Sequence, residues 1–503
     1  MAQDGSRPHI VGVKRNNFPS AADLIFFIVA PVAAIRGSVR MTQSDGDLAA
    51  HIRMGQVILG EGRIPTHSLS SYTAASDHLV AHGWLSEVLF ASLFNMGGLP
   101  LLSVLTGILI GATHSAVALF LRKRGVDSRW AFVAAMMSLA LASTHWLTRP
   151  HMFSIVGATI TLLLLESTAR NRNVYFVPLF ALWANLHGGW LYGLIMIGAY
   201  IIGALAEGAL GRPERTEWFV KARKDSVALV LACAATILNP YGLNLHREVL
   251  WAVTSSSLAT NISEFMAPNF QELLQVPFLL ALLMTVGLFA LGTRRIQLPR
   301  LILILVSLAF ALRSFRNIAL FGVTAWPLIA LHVADSFPRG RRFRLFGEFA
   351  RLDPFSRVGV LIVPTAAILL LLGLNRGSVA GNQLIPESFS PRTFPTRAVT
   401  LAKTAGLEGR VFDAWRWGGY IMYAWPEARL HVDPLKFNAR TIKSYGVIDD
   451  LDPGWQQELE RWQIKTIIIN PKSRMAKGLA LEPKWKVWYR DSTAVVYRPS
   501  AAP

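Results

Sequence analysis

Long runs of apolar residues without a formal charge constrain this chain more than any other feature. They include Leu99–Leu121, Phe153–Leu165, Leu191–Leu205 and Val358–Leu372. With their flanking residues, such runs can cross about 30 Å of hydrocarbon, which takes about 20 residues of α-helix. Only 16% of the 503 residues are charged, whereas an average soluble domain has about 25%. The pattern predicts a polytopic membrane protein and excludes an ordinary soluble enzyme, a coiled coil and a disordered chain.

About eleven apolar segments follow one another and predict a series of membrane-spanning helices. Their approximate bounds are 22–35, 99–121, 129–146, 151–168, 174–188, 190–208, 226–240, 276–293, 299–314, 317–334 and 357–374. We expect a cytoplasmic segment at 1–21, a membrane domain at 22–375 with an exported loop at 41–98, and an exported domain at 376–503. Trp84–Asn95 is too short to span a bilayer and is interpreted as an interfacial helix. Pro31-Val32-Ala33-Ala34 also fits a signal-peptidase site, so cleavage after the first segment is an alternative.

From residue 376 onward, short β-rich runs alternate with helical runs. Alternation of this kind predicts a small soluble α/β domain. The predicted strands are Val411–Phe412, Leu430–Val432, Thr466–Ile469, Val487–Tyr489 and Ala494–Tyr497, and the predicted helices are Arg397–Thr404, Gly418–Trp425, Trp455–Trp462 and Met475–Leu481. The expected fold class is therefore a polytopic α-helical membrane protein with a C-terminal α/β domain.

The formal net charge of +19 would also suit a nucleic-acid-binding protein, because basic patches attract phosphate backbones. The positions of the charges favour another interpretation, since most Lys and Arg before the C-terminal domain lie on one side of the predicted helices. They include Arg122–Arg124, Lys221–Lys224, Arg294–Arg295 and Arg339–Arg344. Cytoplasmic loops carry such an excess, so we expect the N-terminus inside, the C-terminal domain outside and no nucleic-acid partner.

Polar and ionisable residues gather at the outer ends of the predicted helices, where such residues usually line a functional cavity. Asp45 and Asp47 follow the first helix, and Arg313 and Arg316 lie between two later helices. The same side carries Arg149, His151, Asn185, His187 and Asn239, and eight of the twelve histidines: His51, His67, His78, His82, His145, His151, His187 and His246. The pattern indicates an outward-facing polar cavity.

Carboxylates and arginines in one cavity suit the transfer of a group from a lipid phosphate. A carboxylate accepts the proton of an attacking hydroxyl as general base, which is the catalytic role expected of Asp45 or Asp47. Arginine matches phosphate oxygens with its planar fork of donors, so Arg149, Arg313 and Arg316 are the expected donor-phosphate ligands. Arg313 and Arg316 are three residues apart and share one face if the helix continues through them.

These residues also have structural interpretations. Asp45 and Asp47 suit the N-cap of the following helix, and Arg149 suits snorkelling to the interface. His187, followed by two glycines, fits a tight break between helices rather than the wall of a cavity.

Two metal sites are alternatives that the sequence leaves open. His78 and His82 have the one-turn spacing of a zinc ligand pair, but no third ligand is evident. The second possible metal site is a divalent cation bound by Asp45 and Asp47. No further cofactor is expected.

The acidic motif after the first helix, followed by the amphipathic stretch Leu48–Leu59, resembles the polyprenol-dependent integral-membrane glycosyltransferases of the C-type fold. This family includes oligosaccharyltransferases, protein mannosyltransferases and aminoarabinose transferases. In that fold the exported acidic residue is the catalytic base, a role that the resemblance gives to Asp45 or Asp47. Further motifs are similar to those of a set of bacterial membrane proteins and lie at Arg149–Phe153, Trp183–Gly189, Arg316–Phe321, Arg416–Tyr420 and His431–Asp433. The chain departs from the family in that Gly46 separates the acids and the oligosaccharyltransferase motif Trp-Trp-Asp-Tyr-Gly does not occur.

The expected function is the transfer of a sugar from a polyprenyl-phosphate-linked donor to an exported acceptor (a glycan, a lipid or a protein). It would take place at the outer face of a bacterial cytoplasmic (inner) membrane, with the lipid-linked sugar and membrane lipid as partners. A single displacement by one base implies inversion at the anomeric carbon. The alternatives are an envelope polysaccharide transporter or scaffold without catalytic activity, and an envelope phosphotransferase that uses the same arginines.

Overall fold

The structure is a computed structural model that describes residues 19–211, 214–255, 263–292, 294–336, 358–407, 409–436 and 438–500. Helices dominate it up to residue 374. They are α1 (Ala21–Ile35), α2 (Gly46–Glu61), α3 (Trp84–Lys123), α4 (Ser128–Ala142), α5 (His151–Leu165), α6 (Phe176–Leu186), α7 (Trp190–Ala209), α8 (Arg215–Thr236), α9 (Leu243–Thr254), α10 (Val276–Leu291), α11 (Leu298–Arg313), α12 (Ile318–Ser336) and α13 (Ile362–Leu374). The predicted cytoplasmic segment 1–21 lies almost wholly outside the described residues.

Within the described residues, four helical segments are long and apolar enough to cross a membrane. They are α3, α7, Leu273–Leu291 and Phe315–Ser336, and the last two contain α10 and α12. The shorter apolar helices α1, α5 and α13 accompany them. The chain is therefore a multi-pass membrane protein, as predicted, but these criteria do not confirm a count of eleven spans.

The first part of α3 corresponds to the predicted interfacial helix. Trp84–Asn95 is helical, but it runs into the following span to form one 40-residue helix with a kink. Gly98 lies at the kink with φ 64° and ψ −160°, and Pro100 follows. Only glycine adopts such backbone angles without strain, and proline lacks the N–H that would continue the helical ladder. The kink therefore separates the first part of α3 from the longer apolar part that follows it.

Ion pairs join several helices at the end of the bundle where the basic segments lie. Glu166 Oε2 lies 2.7 Å from Arg124 Nη2 and 2.8 Å from Arg300 Nη2. Arg172 is paired with the buried carboxylate of Asp225. Since α5 runs from His151 to this end, the acidic motif and the basic segments lie at opposite ends of the bundle.

The C-terminal region forms a mixed five-stranded sheet with helices, which confirms the predicted α/β domain. The strand order is β4-β3-β5-β7-β6, with β3 parallel to β4 and β5, and β7 antiparallel to β5 and β6. The strands are β3 (Arg410–Asp413), β4 (Arg429–Leu430), β5 (Ile464–Ile469), β6 (Trp485–Arg490) and β7 (Val495–Pro499), after a small hairpin of β1 (Ser378–Val379) and β2 (Asn382–Gln383). The helices are α14 (Thr396–Thr404), α15 (Gly418–Ala424), α16 (Ala439–Asp449), α17 (Trp455–Arg461) and α18 (Arg474–Leu479). The hairpin and α16 were not predicted. The strands of the hairpin are only two residues long, whereas α16 does have an apolar face, formed by Ile442, Tyr445 and Ile448, that the prediction missed.

The loop between α2 and α3 binds the C-terminal domain along an edge of the sheet. Leu430 on β4 donates its N–H to Ser70 O (2.7 Å) and accepts from Tyr72 N (3.1 Å). The Tyr72 hydroxyl lies 2.8 Å from His431 Nδ1. These contacts fix the domain against the loop that follows α2, the helix at whose start the acidic motif lies.

Candidate active site

Asp45 lies where the chain turns from the first membrane helix into α2. It is the N-cap of α2, and its side chain accepts a hydrogen bond from Asp47 N (3.2 Å). Met41 O accepts from Thr148 N (3.1 Å), so the segment before Asp45 lies beside the segment before Arg149. The local backbone therefore brings the acidic motif to Arg149, although 104 residues separate Asp45 from it.

Arg149 binds Asp45 through two parallel hydrogen bonds. Its Nε donates to Asp45 Oδ2 (2.8 Å) and its Nη2 to Asp45 Oδ1 (2.7 Å). The Asp45 side chain is only 1% exposed and the Arg149 side chain 20%. A bidentate guanidinium–carboxylate pair of this kind is strong and fixed in geometry. Both Asp45 oxygens are thus occupied, and Arg149 points inward rather than out to the membrane interface.

The remaining nitrogen of Arg149 faces two further carboxylates. Its Nη1 lies 2.7 Å from Asp47 Oδ2 and 3.2 Å from Glu264 Oε1. Burial lowers the pKa of the Arg149 guanidinium, but these carboxylates outweigh burial and hold that pKa well above its usual value. Glu264 was not predicted, because it is a single acid in a polar connection without periodicity. The signal that could have identified Glu264 is the excess of arginines (Arg149, Arg313 and Arg316) over carboxylates among the predicted site residues, which calls for a further acid nearby.

Asp47 differs from Asp45 in exposure. Its side chain is 44% exposed, and within the described residues only Oδ2 is paired with a cation, Arg149. Desolvation by the surrounding protein raises the pKa of the Asp47 carboxyl, and the charges of Asp45 and Glu264 add to this, while Arg149 opposes it. Asp47 is therefore the carboxylate of the pair that has an accessible oxygen and an enhanced affinity for a proton.

Gly46 separates the two acids because the backbone of α15 packs against it. A Cβ atom on Gly46 would lie 2.6 Å from the carbonyl oxygen of Arg416, and one on Gly419 would collide with the carbonyl oxygen of Gly46. Only glycine allows this approach of two backbones. The glycine between Asp45 and Asp47, by which the chain differs from the family, thus allows this close packing. The C-terminal domain forms one wall of the site.

Asp47 lines a narrow cleft, with a volume of about 10 Å³, together with residues of the C-terminal domain. The lining includes Asp413, Trp415, Gly418, Val432, Pro434 and Tyr445. Burial raises the pKa of the Asp413 carboxyl well above its usual value. An exposed base and a second carboxyl therefore border the same cleft between the two domains.

Arg313 and Arg316 do not share a helix face, because α11 ends at Arg313. Ser314 is extended (φ −148°, ψ 124°), its hydroxyl donates to Glu264 O (2.9 Å), and Phe315 N donates to Met266 O (2.9 Å). Arg313 is exposed, whereas Arg316 is partly buried. The helix does not continue from Arg313 through Arg316, so the shared helix face that such a continuation would have given does not form. The two arginines therefore have different surroundings.

Arg316 points toward the acidic cluster. Its guanidinium lies over the Phe265 ring at 4.5 Å, and the charges of Glu264 and Arg149 act on it. Within the described residues the Arg316 guanidinium forms no hydrogen bond and no ion pair. Arg316 is thus a cation with free donors beside the carboxylates, which fits the predicted role of a phosphate ligand.

Several predicted histidines line the same region in pairs. His151 Nε2 lies 2.8 Å from His145 O, and the His82 and His187 ring centroids are 6.0 Å apart. His187 Nδ1 accepts from Gly189 N (3.1 Å) and lies 2.7 Å from Ser154 Oγ, which accepts from Trp183 Nε1 (2.8 Å). His187 is thus held at the helix break and also belongs to the site, because the charge of Arg316 acts on it.

His51 and Glu87 were not among the predicted site residues. His51 follows Asp47 by one helical turn of α2, and its Nδ1 lies 3.2 Å from Glu87 Oε1. Glu87 is buried, and its Oε2 has no hydrogen-bond partner among the described residues. A carboxylate that orients an imidazole in this way keeps the other ring nitrogen available next to Asp47.

The side-chain amides of Asn185 and Asn239 are used within the helical framework. Asn185 accepts from Trp84 Nε1 (2.8 Å) and donates to Leu238 O (2.8 Å). Asn239 accepts from Tyr241 N (2.8 Å) and donates to Thr236 O (2.8 Å). Both residues lie at the outer helix ends, where they join neighbouring segments.

The described residues do not form a good metal site. A divalent cation needs oxygen ligands that are free to coordinate, but the guanidinium of Arg149 already lies among Asp45, Asp47 and Glu264. His78 and His82 do not share a helix face, since His78 forms a β-bridge with His67 and His82 lies in the turn before α3. No group of three or more potential ligands suited to a metal occurs in the described part of the chain.

Solved structures of membrane glycosyltransferases are similar to this chain. The archaeal oligosaccharyltransferase AglB from Archaeoglobus fulgidus, in complex with an inhibitory peptide and a dolichol-phosphate, aligns with a TM-score of 0.55 at 11% identity over 92% of this chain and 70% of that chain. An oligosaccharyltransferase structure from the same organism, tethered with an acceptor peptide containing the NVT sequon, gives 0.56 at 13% identity over 95% and 74%. The arabinofuranosyltransferase AftD from Mycobacteria gives 0.51 at 14% identity over 96% and 40%.

No protein-family model and no curated protein sequence matches the chain. At identities of 11–14% the structural likeness shows the fold alone. The chain therefore has the C-type fold of polyprenyl-phosphate-dependent membrane glycosyltransferases, which confirms the resemblance drawn from its motifs. Because one fold hosts several chemistries, the activity depends on the residues of the site rather than on the fold.

Proposed function

We propose that this protein transfers a sugar from a polyprenyl-phosphate-linked donor to an exported acceptor, with Asp47 as general base. The observation that carries the proposal is an accessible carboxylate with a raised pKa in the same charged cluster as an arginine that has no hydrogen bond or ion pair within the described residues, at one end of a membrane bundle. Glu264 and Arg149 connect the two residues, because Arg149 contacts both Asp47 and Glu264, and the charge of Glu264 acts on Arg316. The structural relatives support this choice, since one is described in complex with dolichol-phosphate and another is an arabinofuranosyltransferase.

The reaction is a single displacement at the anomeric carbon. The acceptor hydroxyl oxygen attacks this carbon while Asp47 takes the hydroxyl proton. The bond between the anomeric carbon and the phosphate oxygen breaks, and polyprenyl phosphate leaves with the electron pair. Arg316, with Arg313 further out, stabilises the charge that develops on the leaving phosphate. The sugar is inverted because no covalent sugar–enzyme intermediate forms.

Asp45 and Arg149 hold the base in place in this scheme. Arg149 is neutralised by Asp45 and therefore serves as a fixed anchor for Asp47 rather than as a free phosphate ligand. The ion pair between Arg149 Nη1 and Asp47 Oδ2 (2.7 Å) leaves Oδ1 for the acceptor. The cleft in this structure has room for about one water molecule, so it would have to widen for Asp413 and Trp415 to contact the acceptor. With that widening the C-terminal domain would act in acceptor binding.

The same proposal includes the topology. The chain would cross a bacterial cytoplasmic membrane about eleven times, with the C-terminal domain and the acidic motif outside. Pairing of the basic segments with Glu166 and Asp225 at the opposite end supports a cytoplasmic position for that end.

Replacing Arg316 by alanine should weaken the binding of polyprenyl phosphate by about 10- to 100-fold, because charge-assisted hydrogen bonds are worth about 1.5–3 kcal/mol. The measurement is titration of undecaprenyl phosphate into the purified full-length protein, followed by native mass spectrometry. Arg313→Ala should have a smaller effect, since Arg313 is exposed. Arg63→Ala is the control, because Arg63 is 80% exposed and lies in a different loop, between α2 and α3. Equal binding by wild-type protein and Arg316→Ala would contradict the proposed donor site.

The transfer rate should fall on acidification at a higher pH than an ordinary aspartate would cause. A general base must be ionised, and the pKa of Asp47 is raised, so protonation removes the base earlier as the pH falls. Glu264→Gln should move this acid limb to lower pH, because the carboxylate of Glu264 raises the pKa of Asp47. The check is a pH–rate profile, with Glu61→Gln as a control at an exposed acid at the end of α2. An acid limb that stays in place in Glu264→Gln would contradict this assignment.

A further inference from the structure

A second cleft, with a volume of about 540 Å³, lies where three distant parts of the chain meet. The exported loop contributes Ser76, Asp77 and His78, helix α9 contributes Glu248 and Trp251, and the C-terminal domain contributes Lys436 and Asn438. This volume is within the range of clefts that hold small ligands. The sugar-transfer scheme above uses none of these residues.

Direct contacts between the three parts hold the walls of this cleft. Lys436 Nζ lies 2.6 Å from Glu248 Oε1, and Asn438 Nδ2 donates to Asp77 Oδ2 (2.7 Å). The C-terminal domain is thus tied to α9 and to the exported loop at the rim of the cleft. A cleft with walls fixed in this way loses little conformational entropy when it binds a ligand.

Trp251 supplies a flat apolar surface inside otherwise polar walls. Its side chain is 41% exposed, and the Lys436 ammonium lies 5.7 Å from its ring centroid. Large exposed aromatic residues among hydrogen-bonding groups are typical of binding sites for ligands that have both an apolar face and polar edges. Sugar rings have this character, since C–H groups cover one face and hydroxyls the edge.

The polar groups of the cleft suit a neutral ligand. Two carboxylates face one ammonium, so the cleft does not attract a phosphate or another anion. Carboxylate, amide, hydroxyl and imidazole groups provide both acceptors and donors, which is what neighbouring hydroxyls of a sugar require. The cleft therefore differs from the arginine-containing donor-phosphate site.

The cleft borders the candidate active site. Helix α9, which carries Glu248 and Trp251, packs against the helix break beside His187, since a Cβ atom on Gly188 would lie 3.0 Å from Val249 Cγ2 and 3.9 Å from His82 Cδ2. The His82 ring in turn lies 6.0 Å from that of His187. We infer that this cleft binds a neutral oligosaccharide segment of the glycan that takes part in the transfer, with Trp251 as the stacking surface. The inference rests on the proposed function and deepens it, because it makes one substrate an extended glycan.

The test is saturation-transfer NMR on the purified full-length protein, without donor and without turnover. The probes are tetrasaccharides of glucose, galactose, mannose, N-acetylglucosamine and arabinose, together with a tetrasaccharide of galacturonate as the anionic comparison. We expect at least one neutral probe to bind through the C–H face of a ring, and Trp251→Ala to weaken its binding at least tenfold. Trp251→Phe should retain most of the affinity. Trp218→Ala, near the start of α8 at the other end of the bundle, should bind as wild type does.

Absence of binding for every neutral probe, or binding that Trp251→Ala leaves unchanged, would overturn the inference and leave the cleft as a contact between domains. Stronger binding of the galacturonate probe would overturn it as well. Because no step of the assay depends on Asp47, the same titration in Asp47→Asn should give the wild-type result. A negative glycan-binding result would therefore overturn the inference about the Trp251 cleft without bearing on Asp47 as the general base, and loss of the proposed catalytic role would leave the binding result unchanged. When a donor and an acceptor are in hand, a raised KM for only one of them in Trp251→Ala assigns the glycan to that substrate.

Discussion

Asp47→Asn is expected to lower the rate of sugar transfer by about 10²- to 10⁴-fold, which is the contribution of a positioned general base. The amide keeps the size and a hydrogen-bond acceptor for Arg149 but cannot take the proton of the acceptor hydroxyl. The measurement is single-turnover transfer from the lipid-linked sugar, with donor binding measured separately. Donor affinity should change little, because the phosphate is bound by other residues.

The same variant should be at least as stable as the wild-type protein at pH 7. The pKa of Asp47 is raised in the folded state, so its stabilising contribution is present at low pH and is lost as the pH rises through the folded-state pKa. Ionised Asp47 therefore costs stability at neutral pH, and the neutral amide removes that cost. Thermal unfolding of Asp47→Asn in detergent checks the sign.

Asp45→Asn provides the contrast within the acidic motif. It removes the charge that Arg149 binds through two hydrogen bonds, so this variant should lose folding stability as well as activity. If Asp47→Asn transferred sugar at the wild-type rate while Asp45→Asn was stable and inactive, the catalytic role would belong to Asp45.

Arg149→Met is expected to destabilise the protein by about 3–5 kcal/mol, the usual cost of removing one partner of a buried ion pair. Three carboxylates converge on this guanidinium, and without it Asp45 is a buried charge with no cationic partner among the described residues. The measurement is the free energy of unfolding in detergent. Transfer activity should fall with it, because Asp47 loses its anchor.

A double variant separates the ion pair from general damage to the fold. Asp45→Asn combined with Arg149→Met removes both charges of the bidentate pair, so it should recover part of the stability that Arg149→Met alone loses. Arg149→Lys keeps the charge but not the planar fork and should fall between wild type and Arg149→Met. Wild-type stability in Arg149→Met would contradict the role assigned to this residue.

The sequence predicted the parts of the molecule that depend on local pattern. Apolar runs identified the membrane helices, and alternating short runs identified the C-terminal sheet, because burial on one face requires these periods. The presence of Asp45, Asp47 and Arg149 on the same side also followed from counting helices. The pairing of Asp45 with Arg149 did not, since it depends on how two segments 104 residues apart pack together.

The break between Arg313 and Arg316 shows why the rest was not predictable. Serine is compatible with a helix, and nothing local in the sequence ends α11 at this point. The helix ends because Ser314 and Phe315 bond to the segment that contains Glu264 and Met266. The same tertiary contact places Glu264 at the site, so one contact accounts for both differences from prediction. The cleft around Trp251 likewise joins residues from three segments with no shared pattern.

The most direct test of the central claim is native mass spectrometry of Asp47→Asn purified from the membranes of its native host. A variant that binds the donor but lacks the base should accumulate it, so we predict a co-purifying polyprenyl phosphate that carries a sugar, whose mass identifies the sugar. Arg316→Ala introduced into the same variant should lose this lipid. If Asp47→Asn carried only ordinary phospholipids, or if the prenyl lipid persisted without Arg316, the account of this site as a sugar transferase would be contradicted.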